Sequence, residues 1–533
     1  MSDASFLAPA RQFIRSCKRR KFKTKICDLS EGEVTGGMYL TSCLVLRKLL
    51  RKYVLDNDED KVGVLLPPSK GGAVVNMALA LDKRTTVNLN YSASEEIINA
   101  CIKTAGIKHI LTTGQVISKL GLKLDAEVIE LESLKDKVSK LDKGIAAMQA
   151  FAVPSGMLES ALGLGSIQPD DVATIIFTSG STGTPKGVML SQRNISSNVE
   201  GFQKTVNLSP SDVLLGILPF FHSFGYTVTL WGNAMLDIGA AFHYTPLDGR
   251  QIGKLCKKFN GTVLISTPTF LRGYLKRTKP EQFESLELVV TGAEKLAPEL
   301  ADAFEEKFKI RPVEGYGATE LSPVVALNVP RNRTINKTDG ECKEGSIGKP
   351  LPGVAAKVLD LDSGEELGAN QAGMLWIKGP NVMKGYYQNA DLTNEVIKDG
   401  WYNTGDVAVI DEQGFISITG RISRFSKIGG EMVPHIQIEE LLAAVIDGEE
   451  EAGIQAVVTA VPDEKKGERL IVFHTTIEKS VDELRRGLTE KGLPNLYIPS
   501  VDSFMEIPEI PVLGTGKLDL KGLKNLAMEK FGK

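Results

Sequence analysis

The alternation of apolar and polar positions changes character twice along this 533-residue chain. Through roughly the first 330 residues, apolar runs of strand length lead into stretches of helical periodicity. VGVLLP (62–67) precedes GGAVVNMALALDKR, and ATIIFTSG (173–180) runs into a glycine-rich loop. VLLGILPF (213–220), TVLISTP (262–268) and ELVVTGA (287–293) come next, the last two each leading into a helical stretch. This rhythm predicts layered α/β structure with largely parallel sheets. From about residue 342 the runs shorten, as in AAKVLDL and GMLWIKG, separated by SGEELGANQ, PN and QNADL. Such spacing suits small strands in a barrel-like unit. A third pattern starts near 424: VPHIQIEELLAAVI reads as helix, IQAVVTAVPDEKKGERLIVFHTT as two strands around a turn, and VDELRRGLTEKG as helix. The expected architecture is α/β: a large N-terminal domain of layered βα sheets at 1–422, with a β-barrel-like subdomain at about 342–420. A small mobile α+β lid domain at 423–533 completes it, and the basic, glycine-bearing GRISRFSKIGG is positioned to serve as its hinge.

The length exceeds what one core supports, which agrees with several domains. An apolar content of 42% with 24% charged residues is that of a soluble globular protein. A formal net charge of −3 gives no general pull toward nucleic acid. No run approaches the roughly 18 apolar residues of a membrane span, and the first residues lack the apolar core of a signal peptide. Cys17, Cys27, Cys43, Cys101, Cys256 and Cys342 form no CxxC pair, so free thiols in a reducing cytoplasm are expected. One local bias stands out: RQFIRSCKRRKFKTK (11–25) has eight basic residues and no acidic one. Two readings stay open, a patch contacting acidic lipid at the inner membrane face or an acidic partner, and a solvated helix or arm.

The candidate chemistry begins with FTSGSTGTPKG (177–187). Hydroxyls at Thr178, Ser179, Ser181 and Thr182, with Gly180 and Gly183 between them, suit a loop that wraps an anion, and Lys186 adds a charge. It is not a Walker A sequence, because Lys186 follows Pro185 and precedes Gly187, so a P-loop fold is disfavoured. The segment resembles the phosphate loop of the adenylate-forming enzymes, the acyl- and aryl-CoA synthetases, adenylation domains and luciferases. Further segments similar to that family succeed it in order: PFFHSFG (219–225), TGAEKL (291–296), EGYGATE (314–320), WYNTGD (401–406), GRISRFSKIGGEMV (420–433) and LGTGKLDL (513–520).

The resemblance implies ATP and Mg²⁺ as cofactors. It implies His222 beside the acyl carboxylate, although a lone histidine is more often a satisfied structural group. Gly292, Ala293 and Glu294 would flank the acyl chain and adenine. Within EGYGATE, where Gly315 and Gly317 bracket Tyr316, the tyrosine would lie against adenine, Thr319 on the α-phosphate and Glu320 on magnesium. An aromatic face and a hard carboxylate ligand suit those roles. Asp406 would accept both ribose hydroxyls, which two carboxylate oxygens can do. Arg421 would lie on ribose or phosphate, and Lys517 would be the catalytic lysine bridging acyl and phosphate oxygens. Gly429 and Gly430 would face a pantetheine arm. At the family's hinge position, usually Asp or Lys, this chain has Ser423.

A closer likeness runs through VNLNY (87–91), LPFFHSFG, VTGAEKL, EGYGATELSPVVALNVP, KGPNVMKGYY and SKIGGEMV. It is to the acyl–acyl carrier protein synthetase half of bacterial 2-acylglycerophosphoethanolamine acyltransferases. That implies a fatty acid as substrate and an acyl carrier protein as acceptor, docking on 11–25 or on Arg421, Arg424 and Lys427. Coenzyme A as acceptor, or release of the acyl-adenylate, stays open; so do a non-catalytic acyl or nucleotide binder and a membrane-surface adaptor. HYTPLD, from His243 to Asp248, has acyltransferase spacing but no EGTR-like partner downstream, so it is read as coincidence. GYTVTLWG (225–232), with Trp231, is the candidate wall of the acyl pocket.

Overall fold

A computed structural model describes residues 6–30, 32–178, 185–335, 342–428, 431–446, 455–463, 466–512 and 518–532. Two sheets dominate the first 350 residues. One has nine strands in the order Lys349–Pro350, Val324–Leu327, Val313–Gly317, Leu288–Thr291, Val263–Ser266, Val213–Gly216, Gly239–Phe242, Thr24–Asp28 and Gly32–Thr35. Its interior strands, from Val313–Gly317 to Thr24–Asp28, run parallel, and antiparallel strands close both edges. The other has seven strands in the order Gly385–Tyr386, Lys186–Ser191, Val172–Thr178, Thr85–Asn88, Lys61–Val64, His109–Thr112 and Glu127–Glu130. Apolar runs 213–220, 262–268 and 287–293 each hold a four-residue strand, shorter than the run itself, and the strand at 62–67 begins one residue earlier, as Lys61–Val64. Beyond these strands the chain turns into the covering helices. Lys70–Leu81 starts on Ser69, whose hydroxyl accepts from Gly72 N, and Pro268–Arg277 starts on Thr267 with proline at the first position.

The β-rich region is a five-stranded antiparallel sheet built from Ala355–Leu359, Ala372–Lys378, Ile397–Lys398, Trp401–Ile410 and Ile416–Arg421. Among the described residues no pairing joins its outer strands, so its hydrogen bonding is that of an open sheet. It also begins at 355, since Lys349–Pro350 still belongs to the nine-stranded sheet. A single turn, Ile422–Arg424, then leads into strand Phe425–Ile428, which places Ser423 between the two bodies of sheet. Beyond it, Glu431–Pro434, Phe425–Ile428, Gly467–His474, Ala456–Asp463 and Phe504–Glu506 form a sheet packed by helices His435–Ile446, Val481–Glu490 and Leu520–Phe531. VPH therefore divides between strand and helix. The buried clusters of this module start at Ile428 and share no member with the main core, which ends at Ile416. No described helix is long and apolar enough to cross a membrane, and all six cysteines are free thiols.

The basic segment 11–25 is not a solvated arm but is built into the fold. Helix Pro9–Arg19 buries Phe13, Ile14 and Cys17 on its inner face. Arg11 and Arg15 both reach Glu159 at 2.7 Å, Lys18 donates to the carbonyls of Gln149 and Ala150 at 2.8 and 3.0 Å, and Arg19 pairs with Asp237. Arg20 donates to Asp237 O at 2.8 Å and Lys21 to Phe151 O at 3.3 Å. Lys25 is fully buried and donates to Ser16 Oγ at 2.8 Å and Ile238 O at 3.2 Å. Seven of the eight cations thus hold internal acceptors, carboxylates for Arg11, Arg15 and Arg19 and neutral oxygens for Lys18, Arg20, Lys21 and Lys25. The three cations of the face expected to dock a carrier protein each meet a carboxylate. Arg424 is buried against Glu439, Arg421 binds Asp406 at 2.8 Å, and Lys427 binds Asp362 at 2.7 Å.

His435 shows how the C-terminal module responds to acid. Its Nε2 lies 2.7 Å from Ser426 Oγ. Burial, with Arg424 and Lys524 nearby, pushes its pKa from 6.5 down to about 3. Unfolded chain therefore binds a proton that the folded module refuses, so the stabilisation is present above the unfolded value and lost as pH falls toward about 3. The hydrogen-exchange protection factor of helix His435–Ile446, taken relative to intrinsic exchange at each pH, should fall between pH 6.5 and about 3. In His435→Gln that pH dependence should flatten.

Candidate active site

A cavity of about 1060 Å³ opens at the carboxyl ends of the nine-stranded sheet and gathers most of the candidate residues. Crevices beyond the carboxyl ends of parallel strands are where open α/β sheets bind ligands. Thr178, His222, Gly292, Ala293, Glu294, Gly315, Tyr316, Gly317, Thr319, Glu320 and Arg421 all line it. Ser179, Gly180, Ser181, Thr182 and Gly183 lie outside the described residues, as do Gly429, Gly430 and Lys517. The flanks of the glycine-rich segment are described. Val172–Thr178 and Lys186–Ser191 are antiparallel, with Thr178 opposite Lys186, so strand is followed by strand here. That differs from the strand–loop–helix of a P-loop, as the lysine position predicts.

One polar centre joins three elements. Asp406, buried in strand Trp401–Ile410, accepts from the Tyr316 hydroxyl on Oδ2 and from Arg421 Nε at 2.8 Å on Oδ1. Tyr316 belongs to the nine-stranded sheet and Arg421 ends the last strand before the C-terminal module. Burial, then the Asp406 charge, raise the Tyr316 phenol well above its ordinary pKa, so it stays a donor. The Asp406 charge likewise raises Arg421. Asp406 does not itself line the cavity but is reached through these two partners.

A second centre surrounds Glu320, whose Oε1 accepts from the Tyr386 hydroxyl at 2.8 Å. The Lys186 ammonium lies 5.7 Å from the centre of the same Tyr386 ring, a cation–π contact. Thr319 Oγ1 accepts from Ser223 Oγ at 3.2 Å. Sequence reasoning misses Ser223 and Tyr386. They stand in PFFHSFG and KGPNVMKGYY, but nothing local marks a hydroxyl as reaching a residue far along the chain.

His222 is exposed at the cavity, its ring 4.5 Å from that of Phe221, which meets Tyr91 edge-on at 4.8 Å. Glu294 Oε2 accepts from Thr269 N at 3.1 Å and Thr269 Oγ1 at 2.7 Å, tying this strand end to the neighbouring helix. Ala293 beside it has φ +70°, a left-handed conformation that costs a non-glycine residue energy. The acyl-wall candidate is corrected in detail. Phe224–Trp231 forms a π-helical turn, a feature common at functional sites. It turns Phe224, Gly225 and Val228 to the cavity, whereas Trp231 is buried behind, against Tyr226. Leu214, Ile265 and Val290 complete an apolar chamber below the polar rim. HYTPLD has no catalytic pairing, since Asp248 caps helix Gly249–Phe259 by accepting from Gln251 N at 3.2 Å.

Residues 22–387 match the family model "AMP-binding enzyme". The chain belongs to the AMP-binding enzyme family, and its fold is that of the adenylate-forming enzymes. It is 35% identical over 375 residues to the probable 4-coumarate–CoA ligase 3 of Dictyostelium discoideum, covering 67% of this chain and 63% of that one. It is 31% identical over 367 residues to the long-chain-fatty-acid–CoA ligase of Bacillus subtilis, covering 67% and 62%. The matched region spans just under two thirds of the length of these relatives. ATP-bound MatB from Rhodopseudomonas palustris superposes with a TM-score of 0.76 over 99% of this chain and 100% of its own, at 23% identity. That likeness speaks for the fold.

Gly317 carries a firm structural requirement: a Cβ there would lie 2.0 Å from the Pro323 carbonyl oxygen and 2.7 Å from its carbon. At Gly315 the nearest atom is the movable Leu327 Cδ1, at 3.1 Å. Gly317→Ala should lower stability by about 2–3 kcal/mol, as overpacking against fixed backbone does, and Gly315→Ala by clearly less. Equilibrium urea unfolding of the two variants checks the difference.

Proposed function

We propose that this chain activates a fatty acid with ATP through an acyl-adenylate and passes the acyl group to the phosphopantetheine thiol of an acyl carrier protein. The observation that carries the reading is a single cavity with a polar rim at Thr319, Glu320 and Arg421 and an apolar chamber at Leu214, Val228 and Ile265. A nucleotide phosphate and an aliphatic chain need these opposite surroundings, and reaction needs them in contact.

A free carboxylate is a poor electrophile because oxide would have to leave. Attack of its oxygen on the α-phosphorus of ATP expels pyrophosphate and leaves a mixed anhydride with AMP as a workable leaving group. The transition state spreads negative charge over phosphate oxygens, so positioned cations and donors carry the catalysis. In this reading Thr319 donates to an α-phosphate oxygen, Lys186 adds charge at the phosphate loop, and Lys517 bridges acyl and α-phosphate oxygens. Asp406 takes the ribose hydroxyls, Arg421 the ribose or phosphate, and Tyr316 offers its face to adenine. His222 stands beside the acyl carboxylate. Glu320 suits magnesium, which takes one or two carboxylates and fills its other positions from phosphate and water. Magnesium, when bound, supplies positive charge to the phosphates.

In the second half the thiol attacks the anhydride carbonyl and AMP leaves, with Gly429 and Gly430 facing the pantetheine. Rotation of the module at 423–533 separates the halves, withdrawing Lys517. Two ion pairs that cross to this module, Lys295 with Glu440 and Lys427 with Asp362, are exposed and so weak holders against rotation. Coenzyme A is the second reading of the acceptor, favoured by the names of the Dictyostelium and Bacillus relatives.

AMP release with ATP, Mg²⁺ and fatty acids of graded length, comparing holo-acyl carrier protein with coenzyme A, tests the reading. Lys517→Ala should abolish fatty-acid-dependent pyrophosphate exchange while thiolation of preformed acyl-adenylate persists; loss of both would reject the two-conformation assignment. Asp406→Ala should raise the KM for ATP by roughly tenfold or more, since it removes charge-assisted hydrogen bonds.

A further inference from the structure

Most cations of the two basic surfaces expected to meet an acidic partner hold acceptors within the chain, yet a cluster that holds none exists elsewhere. Arg250 and Lys254 lie one turn apart on helix Gly249–Phe259, and Arg277 ends helix Pro268–Arg277. All three are exposed and line one groove of about 710 Å³ together with Thr245 and Leu247. Among the described residues their charged heads make no ion pair or hydrogen bond. The carboxylate in the groove, Asp248, already caps the helix. Like charges four residues apart on a helix repel, and this chain, with a net charge of −3, keeps them unneutralised. Thr245 and Leu247 also line the main cavity, so the groove adjoins its mouth. Tyr244 and Leu247 stand exposed there at 54% and 65%.

We propose that this groove is the docking surface for the acidic protein that carries the acceptor thiol. The inference rests on the carrier-protein reading and names where that partner binds. Acidic side chains of the partner would face Arg250, Lys254 and Arg277, its apolar residues would cover Tyr244 and Leu247, and its thiol-bearing arm would enter past Thr245. A concave groove suits a protruding helix better than a flat bilayer. Complementary charge of this kind raises association rate and is screened by salt.

The test is the full-length triple variant Arg250→Glu, Lys254→Glu, Arg277→Glu, with the triple Gln variant alongside. Pyrophosphate exchange with fatty acid and ATP should stay within about twofold of the original chain, since none of these residues touches the reacting groups. The KM for holo-acyl carrier protein should rise by about tenfold or more in the Glu variant and less in the Gln variant, and its dependence on salt should flatten. An unchanged KM with exchange intact, in either variant, overturns the docking surface while the carrier reading stands. An original chain that acylates coenzyme A but not the carrier protein overturns the reading and the surface together. Loss of sedimentation with phosphatidylglycerol vesicles, beside an unchanged KM for the carrier protein, assigns the groove to lipid and overturns the proposal.

Discussion

The carboxylate of Asp406 is the point on which the site depends. It is buried, and a buried charge persists only when it is paired and hydrogen-bonded. Its two oxygens take the Tyr316 hydroxyl and the Arg421 guanidinium. That draws together the nine-stranded sheet, the open antiparallel sheet and the last residue before the turn into the C-terminal module. Removing the carboxylate would orphan a buried phenol and free an arginine at the junction, so one group ties the cavity rim to the start of the C-terminal module.

A similar economy of placement governs the Glu320 side of the cavity. Tyr386 comes from a two-residue edge strand paired to Lys186–Ser191, yet its hydroxyl reaches Glu320 and its ring lies under Lys186. Strand Lys186–Ser191, the Glu320 carboxylate and the end of the family match at 387 are thereby fastened together. Ser223 does the same for Thr319 from the start of the π-helical turn. These contacts hold the proposed reacting groups before any ligand arrives, which is how positioning lowers a barrier.

Charge is distributed by the same logic. The basic run 11–25 looks like a patch because sequence displays charge without its partners. Glu159, Asp237 and a row of backbone carbonyls supply them from more than a hundred residues away. Arg250, Lys254 and Arg277 form no such run and attract no notice along the chain, but folding brings them to one groove. A cluster is a property of space, and only its neighbours decide whether it is neutralised.

The order of ATIIFTSG, TVLISTP and ELVVTGA before their loops and helices determined the parallel sheets, because buried strands must be continuously apolar and their ends must cap. The order of FTSGSTGTPKG, EGYGATE and the other motifs likewise marked the family, and the described members of those motifs meet at one cavity. Tertiary structure alone decided that Tyr316 turns its hydroxyl to Asp406, that Trp231 lies behind the wall while Phe224 and Val228 form it, and that the β-rich sheet stays open. Those outcomes depend on which surfaces meet and on how much room a side chain finds there. Both are settled by packing among residues far apart in the chain, so no local pattern records them.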